Sequence, residues 1–390
     1  MKEKIFIAFI VLVGALPPLS TDLPLPALPE IASFFGVEDI ATTMVLVAFF
    51  VTYAFSTLLW GPLSDKYGRK PMLLIGFAIY LIGSFLCGIA TSVDSLIIFR
   101  AIQGLGGGCS MTVTSAIVRD VYTGKKQESI LAIVQSMTMV CPLVAPVLGA
   151  LLQTLISWRG VFFAQAIMGL VIVAGAIIMK ETNKERLDVK ILGALARLVP
   201  VMRHGKFMLM VISFSLPFVG IMAWVSSSSY IYANDFGLSS QVYSYFFALT
   251  SVGAIAGPLA YIWISKKFKR YNIITVCLIE SLIAGIAIIL FGANSPMILA
   301  LLILPTTFAI GAIRPPTTYM MLNNKEGDSG SAAALIGAVS SICGIIGMIV
   351  VVLFSDYVFG IGFLFVIISI ITLTVWLTSF RNTKEEDKLQ

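Results

Sequence analysis

GPLSDKYGRKPMLL, residues 61 to 74, gathers one acid (Asp65), three cations (Lys66, Arg69 and Lys70), two glycines and two prolines into a single turn. On either side the chain is apolar, over about 41 to 63 and 71 to 91. An α-helix of about 20 residues spans the roughly 30 Å hydrocarbon core of a bilayer. Two such runs joined by a short charged turn therefore read as a helical hairpin through lipid. The rest of the chain agrees: of 390 residues 58% are hydrophobic and only 12% charged. Soluble domains carry about 25% charged residues. A cytosolic enzyme, a nucleic-acid-binding domain and a disordered chain are excluded by composition alone.

Further apolar runs bring the total to twelve, at about 5 to 28, 41 to 63, 71 to 91, 95 to 119, 128 to 154, 159 to 180, 207 to 232, 239 to 264, 272 to 293, 296 to 321, 329 to 353 and 357 to 380. The first run is expected to stay as a span rather than leave as a signal peptide. Pro17, Pro18 and Asp22 stand where a small-residue cleavage site would be. With the N-terminus inside, 23 of the 26 cations fall in alternate, cytoplasmic segments, leaving Arg159 outside and Arg100 and Arg314 within spans. The opposite loops hold acids such as Glu30, Glu38, Asp39, Asp94, Asp235 and Asp356. The positive-inside rule then places both termini in the cytoplasm of a multi-pass cell-membrane protein.

The longest hydrophilic stretch, about 180 to 206, divides the spans six and six. Gly61-Pro62-Leu63 after span 2 recurs as Gly257-Pro258-Leu259 at the end of span 8, each ahead of a cationic turn. The expected organisation is an N-terminal six-helix half over 1–180, a basic cytoplasmic linker over 181–206, a C-terminal six-helix half over 207–380 and a cytoplasmic tail over 381–390. The fold class is all-α, with twelve transmembrane helices in two halves around a central cavity. The five cysteines, Cys87, Cys109, Cys141, Cys277 and Cys343, lie inside apolar runs without a CxxC pair. They read as packed thiols. His204 stands alone in the basic loop, so no metal site is expected. No P-loop, HExxH, GxSxG or intramembrane histidine cluster is present, which argues against an enzyme, and no cofactor is expected.

The turn after span 2, with Gly61, Asp65, Gly68, Arg69 and Lys70 at their spacing, resembles the signature loop of the major facilitator superfamily. That resemblance implies a conformational latch closing the cytoplasmic side, with Asp65 at the N-terminus of span 11 near Ser329 and Gly330, and Arg69 tying Asp65 to its own half. Span 4 carries RAIQGLGGG, residues 100 to 108, and resembles the second motif of the same superfamily. Arg100, Gln103, Gly104, Gly107, Gly108 and Met111 recur at helical spacing, offering a cation, an amide and a glycine ridge for close packing. An arginine in lipid costs about 2.5 to 3.5 kcal/mol on insertion scales, so Arg100 should face a cavity or a partner. Asp22 at similar depth is the expected partner; the other reading puts Asp22 in the outer headgroup zone beside Glu30.

STDLPLPALPEIA, residues 20 to 32, resembles the first-span signature of the Bcr/CflA drug-resistance branch, a drug:proton antiporter group, with Pro24 where that branch has Tyr. APVLGA in span 5 keeps Pro146 and Gly149 of the antiporter motif. Trp158-Arg159 with Phe162 matches the family's span-6 entry, and 330 to 341 its span 11. The resemblance implies a multidrug efflux transporter of the inner membrane that confers antibiotic resistance, exporting small amphipathic molecules by proton antiport with alternating access. Its partners would be a small-molecule substrate, protons and the bilayer, without nucleic acid, and the protein would be a monomer. Asp22, Arg100 and Glu280 are the candidates for proton coupling. Asp22, Tyr53, Arg100, Gln103, Met111, Trp224, Tyr230 and Arg314 are the candidates for substrate binding, with Phe49, Phe50, Tyr243 and Phe246 as further aromatics. Gly104, Gly108, Pro146 and Gly149 are expected in helix packing. Glu280 reads equally as a packed, protonated acid. Arg314 reads equally as snorkelling to the inner interface; if it binds an anion, the protein is instead a dedicated carrier of one metabolite, an amino-acid derivative or a metal chelator. A fluorescent-protein fusion to either terminus should fluoresce in whole cells if both ends are cytoplasmic, and a periplasmically active reporter at the same places should stay silent.

Overall fold

The computed structural model describes residues 2–183, 198–323 and 329–380. Among the described residues twelve helices are long and apolar enough to cross a membrane: Glu3–Phe35, Asp39–Tyr67, Arg69–Gly88, Val93–Val121, Gly124–Leu155, Trp158–Ile178, Gly205–Asp235, Ser240–Ile264, Arg270–Asn294, Pro296–Leu322, Ala332–Val351 and Tyr357–Ser379, numbered here as spans 1 to 12. Among the described residues no strand is present. Helices are what apolar sequence must form in lipid, because only they satisfy every backbone group within one segment. The expected tail, residues 184–197 of the expected linker, and Lys325 lie outside the described residues.

Where helices end, side chains supply the missing partners. Ser92 and Ser95 form a reciprocal capping box at the start of span 4, each side chain accepting from the other's backbone N–H at 3.2 Å. Asp356 accepts from the Phe359 N–H at 2.9 Å to open span 12. His204 Nδ1 accepts from the Phe207 N–H at 3.3 Å at the start of span 7. Span 1 runs farther than its apolar run suggests, and it breaks inside. Its α-helix stops at Asp22, a 3₁₀ turn covers Leu25–Ala27, and a second helix runs over Leu28–Phe35. Pro24, Pro26 and Pro29 cause this, since proline has no N–H to give the ladder. Span 7 likewise ends in a π-helical turn, Ile231–Asp235.

The chain forms two compact units, Met1–Ala196 and Arg197–Gln390. In the first, span 2 packs on 4, span 3 on 4 and on 6, and span 1 on 5. In the second, span 8 packs on 10, span 9 on 10 and on 12, and span 7 on 11. Each principal pair recurs six spans later, so the two units share one packing scheme.

Small residues set the closest approaches. A Cβ on Gly104 would meet Thr52 Oγ1 and the Phe49 carbonyl of span 2, and one on Gly108 would lie 2.9 Å from the Thr57 nitrogen. Gly149 of span 5 meets the Leu23 carbonyl where span 1 breaks, and Pro146 is buried one turn earlier. This is the small-residue interface by which helices associate in lipid. Gly104→Val should lower stability by about 1–3 kcal/mol through overpacking against rigid backbone. Gly337→Ala, whose Cβ would meet nothing within 4 Å, should leave it unchanged; thermal unfolding of purified protein in detergent checks both.

Candidate functional site

Two polar constellations stand out in the first unit, one inside the helices and one at the turn between spans 2 and 3. The inner one is centred on Arg100 of span 4, whose side chain is wholly buried. Its Nη1 donates to the Ser20 carbonyl of span 1 at 3.2 Å and to Gln103 Oε1 at 2.6 Å, and its Nε donates to the Val45 carbonyl of span 2 at 3.3 Å. The guanidinium carbon lies 4.4 Å from the centre of the Phe49 ring and 5.8 Å from that of Phe162. Its Nη2 is buried without a hydrogen-bond partner.

The network continues through the amide that follows one turn later. Gln103 Nε2 donates to Ser84 Oγ of span 3 and to Gln165 Oε1 of span 6, each at 2.7 Å. Gln165 returns to the Ser20 carbonyl at 3.2 Å, and the Ser20 and Tyr80 hydroxyls meet at 2.6 Å. Spans 1, 2, 3, 4 and 6 are thus tied through one point. Ser20, Tyr80, Ser84, Arg100, Gln103 and Gln165 are all fully enclosed.

This placement corrects one expectation. Arg100 does not pair with Asp22; it takes the carbonyl two residues earlier, because the helix holding Asp22 ends there and turns its last carboxyl elsewhere. Asp22 is 7% exposed and accepts a hydrogen bond from Thr21 Oγ1 at 2.9 Å. Arg100 Nε and Nη1 and the Gln103 amide are spent on neighbouring helices, and Nη2 is the one polar atom of the pair left without a partner among the described residues.

The remaining candidates separate by exposure. Tyr53 and Met111 are half-buried, and Tyr53 stacks on Phe49 with ring centres 5.9 Å apart. Trp224 and Tyr230 of span 7 are enclosed. The aromatics of the second unit instead gather on Tyr232, which the sequence reading did not single out: it stacks on Phe246 at 5.0 Å and packs near Tyr243 at 5.8 Å and Trp224 at 6.1 Å. Phe50 meets Phe49 edge-on at 6.2 Å. Arg314 is exposed on span 10, its guanidinium 5.6 Å from the Phe218 ring. Glu280 is half-buried on span 9, and its Oε2 is buried without a partner.

At the loop end, Arg69 opens span 3 and binds Asp65 at 2.5 Å, Asp120 of span 4 at 2.9 Å and Ser64 Oγ at 2.7 Å. Glu181, just past span 6, accepts from the backbone N–H groups of Arg69 and Lys70 at 2.9 and 3.1 Å. It thereby caps the positive end of span 3. Lys70 Nζ reaches the Ile177 carbonyl at 2.7 Å, and Asn183 donates to the Asp65 carbonyl at 2.9 Å. Gly68 makes the turn possible: its φ is 105°, and a Cβ there would lie 2.5 Å from Glu181 Oε2. Gly61 lies one turn before Asp65 on span 2.

Sequence reasoning missed Ser20, Tyr80, Ser84 and Gln165. The available signal was that each is a polar side chain in an apolar span. It also missed Asp120 and Glu181, acids opposite a cationic turn. Gln103→Leu should cost about 3 kcal/mol, because it strips a buried charge and the Gln165 carbonyl of partners. Gln103→Glu, which keeps an acceptor for Arg100, should cost less; the thermal midpoints of the two purified variants check the order.

Residues 10–348 match the Major Facilitator Superfamily. Relatives include the uncharacterized MFS-type transporter YdgK of Bacillus subtilis, 26% identical over 88% of this chain and 87% of its own. The bicyclomycin resistance protein homolog of Haemophilus influenzae is 26% identical over 73% of each chain, and the multidrug resistance protein MdtL of Escherichia coli K12 is 32% identical over 43% of each. These names are consistent with the Bcr/CflA branch. Among solved structures, a bacterial homologue of the human lysosomal transporter Spinster gives a TM-score of 0.78 at 15% identity over 99% of both chains. The nucleoside transporter NupG gives 0.77 at 13% identity over 95% of this chain and 98% of its own. Those likenesses show the fold. With twelve apolar spans and a family match over most of its length, the chain belongs to the major facilitator superfamily and is a multi-pass membrane transporter, not an enzyme.

Proposed function

We propose that the protein exports small amphipathic molecules, drugs among them, in exchange for protons, its binding site opening in turn to each side of the membrane. The observation that carries this reading is Asp22. It is a buried carboxyl at the point where span 1 breaks, with a single neighbouring hydroxyl as its hydrogen-bond partner. Intramembrane acids are costly to keep and mark ion and proton pathways. A helix break also frees local backbone that an unbroken helix would use internally. The relatives named for bicyclomycin and multidrug resistance support the substrate class.

In this reading Asp22 takes up a proton from the outer side and gives it up inward as substrate is carried out. Arg100 acts through position: it fixes the Ser20 carbonyl, two residues away, and so holds the break in register. Tyr53 and Met111 are the half-buried candidates for substrate contact in the first unit. The Asp65–Arg69–Asp120 cluster and Glu181 hold the turn between spans 2 and 3 in one shape and bias the conformational equilibrium. Both termini lie in the cytoplasm, and the protein acts as a monomer.

A second reading rests on Arg314. An exposed guanidinium within a span is suited to an anionic group, which favours a carrier of one acidic metabolite. The deciding experiment is reconstitution in liposomes with an imposed proton gradient and a panel of hydrophobic cations, zwitterions and neutral antibiotics. Substrate-dependent proton flux should appear in the wild type and vanish in Asp22→Asn. Survival of flux in that variant would move the coupling site to Glu280. Added to the same panel, anionic metabolites test the second reading: a response limited to one of them and abolished by Arg314→Ala would establish it.

A further inference from the structure

The turn between spans 8 and 9 forms a cup of about 340 Å³ lined by Tyr261, Ser265, Lys266, Lys267, Phe268, Lys269 and Arg270. Four of the seven lining residues are cations. The sequence holds no acid between Asp235 and Glu280, and among the described residues none of the four makes an ion pair.

Its counterpart in the first unit is arranged differently. There Arg69 is neutralised by Asp65 and Asp120, and Lys70 is held by the Ile177 carbonyl. Counting from the shared Gly-Pro-Leu, the position of Asp65 is taken in the second unit by Tyr261. Among the described residues the turn has kept its cations without the acid that Asp65 supplies in the first unit. Two of the cations are nonetheless held in place by rings: Arg270 lies 4.9 Å from the centre of Tyr319, and Lys266 lies 4.8 Å from that of Trp263. Lys269 precedes the first turn of span 9 and gives it no side-chain cap, so the positive helix end adds to the field.

We propose that this cup binds the phosphate headgroup of an anionic membrane lipid. The apolar side of the site selects the lipid over a free phosphate. Trp263 is 72% exposed and Phe268 58% exposed at its edge, and amphipathic rings beside lysines are what settles at the headgroup level of a bilayer. A phosphodiester supplies the missing charge to Lys267 and Lys269, while its acyl chains cover the rings. The inference needs only that the chain spans a membrane and does not rest on the export reading.

The test uses the full chain in phosphatidylcholine vesicles, titrated with brominated phosphatidylglycerol, and follows the tryptophan fluorescence that is lost in Trp263→Phe. Quenching should occur at a lower mole fraction of brominated phosphatidylglycerol than of brominated phosphatidylcholine. Lys267→Gln/Lys269→Gln should weaken that preference by roughly fivefold for each cation removed. The charge-matched Lys2→Gln/Lys4→Gln variant, altered at exposed cations elsewhere, should not. Equal quenching by the two lipids, or an equal loss in both double variants, would overturn the site in favour of a diffuse surface field. Competition by free inorganic phosphate at equal molarity would overturn the lipid as its ligand.

Discussion

An arginine closed inside a helical bundle in lipid is the constraint around which the first unit is arranged. Insertion of such a side chain costs roughly 3 kcal/mol, while each hydrogen bond from a charged group contributes about 1.5–3 kcal/mol. Arg100 has three acceptors and the face of Phe49, so the balance favours burial as long as all of them stay in register. Two of the acceptors are backbone carbonyls, Ser20 and Val45. They cannot move without moving spans 1 and 2. The cation therefore constrains helices rather than side chains, and the glycines on the same helix let those backbones come near enough to be held.

The two units repeat a scaffold but not its chemistry. Equivalent spans pack on equivalent spans, with glycines at the close crossings, yet the polar knot belongs to the first unit. In the second, span 7 carries a run of four buried serines, Ser226 to Ser229, and an aromatic group around Tyr232 that adjoins a π-helical turn. Such turns place one extra residue per turn and recur where function needs a helix re-aimed. The same divergence is visible at the loop ends, where one turn neutralises its cations and the other leaves them open.

Much of the fold was legible from sequence because hydrophobic length is a local property. Twelve spans and their order need no knowledge of what touches what. The site was legible only in part, because it depends on partners far apart in the chain. Arg100 and Gln103 were recognised as a pair by their spacing, but spacing does not say whether their shared face meets a cavity or another helix. Gln165 supplies the answer from 62 residues away, and no local pattern joins it to Gln103. Asp22 and Arg100 were matched by depth, whereas the prolines after Asp22 redirect the chain. Glu181 was passed over because it opens a hydrophilic stretch that reads as a connector, though its carboxylate is spent on two N–H groups of span 3.

The reach of the Arg100 network also bears on the order in which the chain can be built. Span 4 is the least apolar of the twelve, and it enters the membrane carrying this cation. Ser20, Val45 and Ser84 are already synthesised at that moment, whereas Gln165 is not. Ser84 can hold the Gln103 amide from the start, whereas its second partner, Gln165, arrives only with span 6, so the network is complete only when the sixth span is in place.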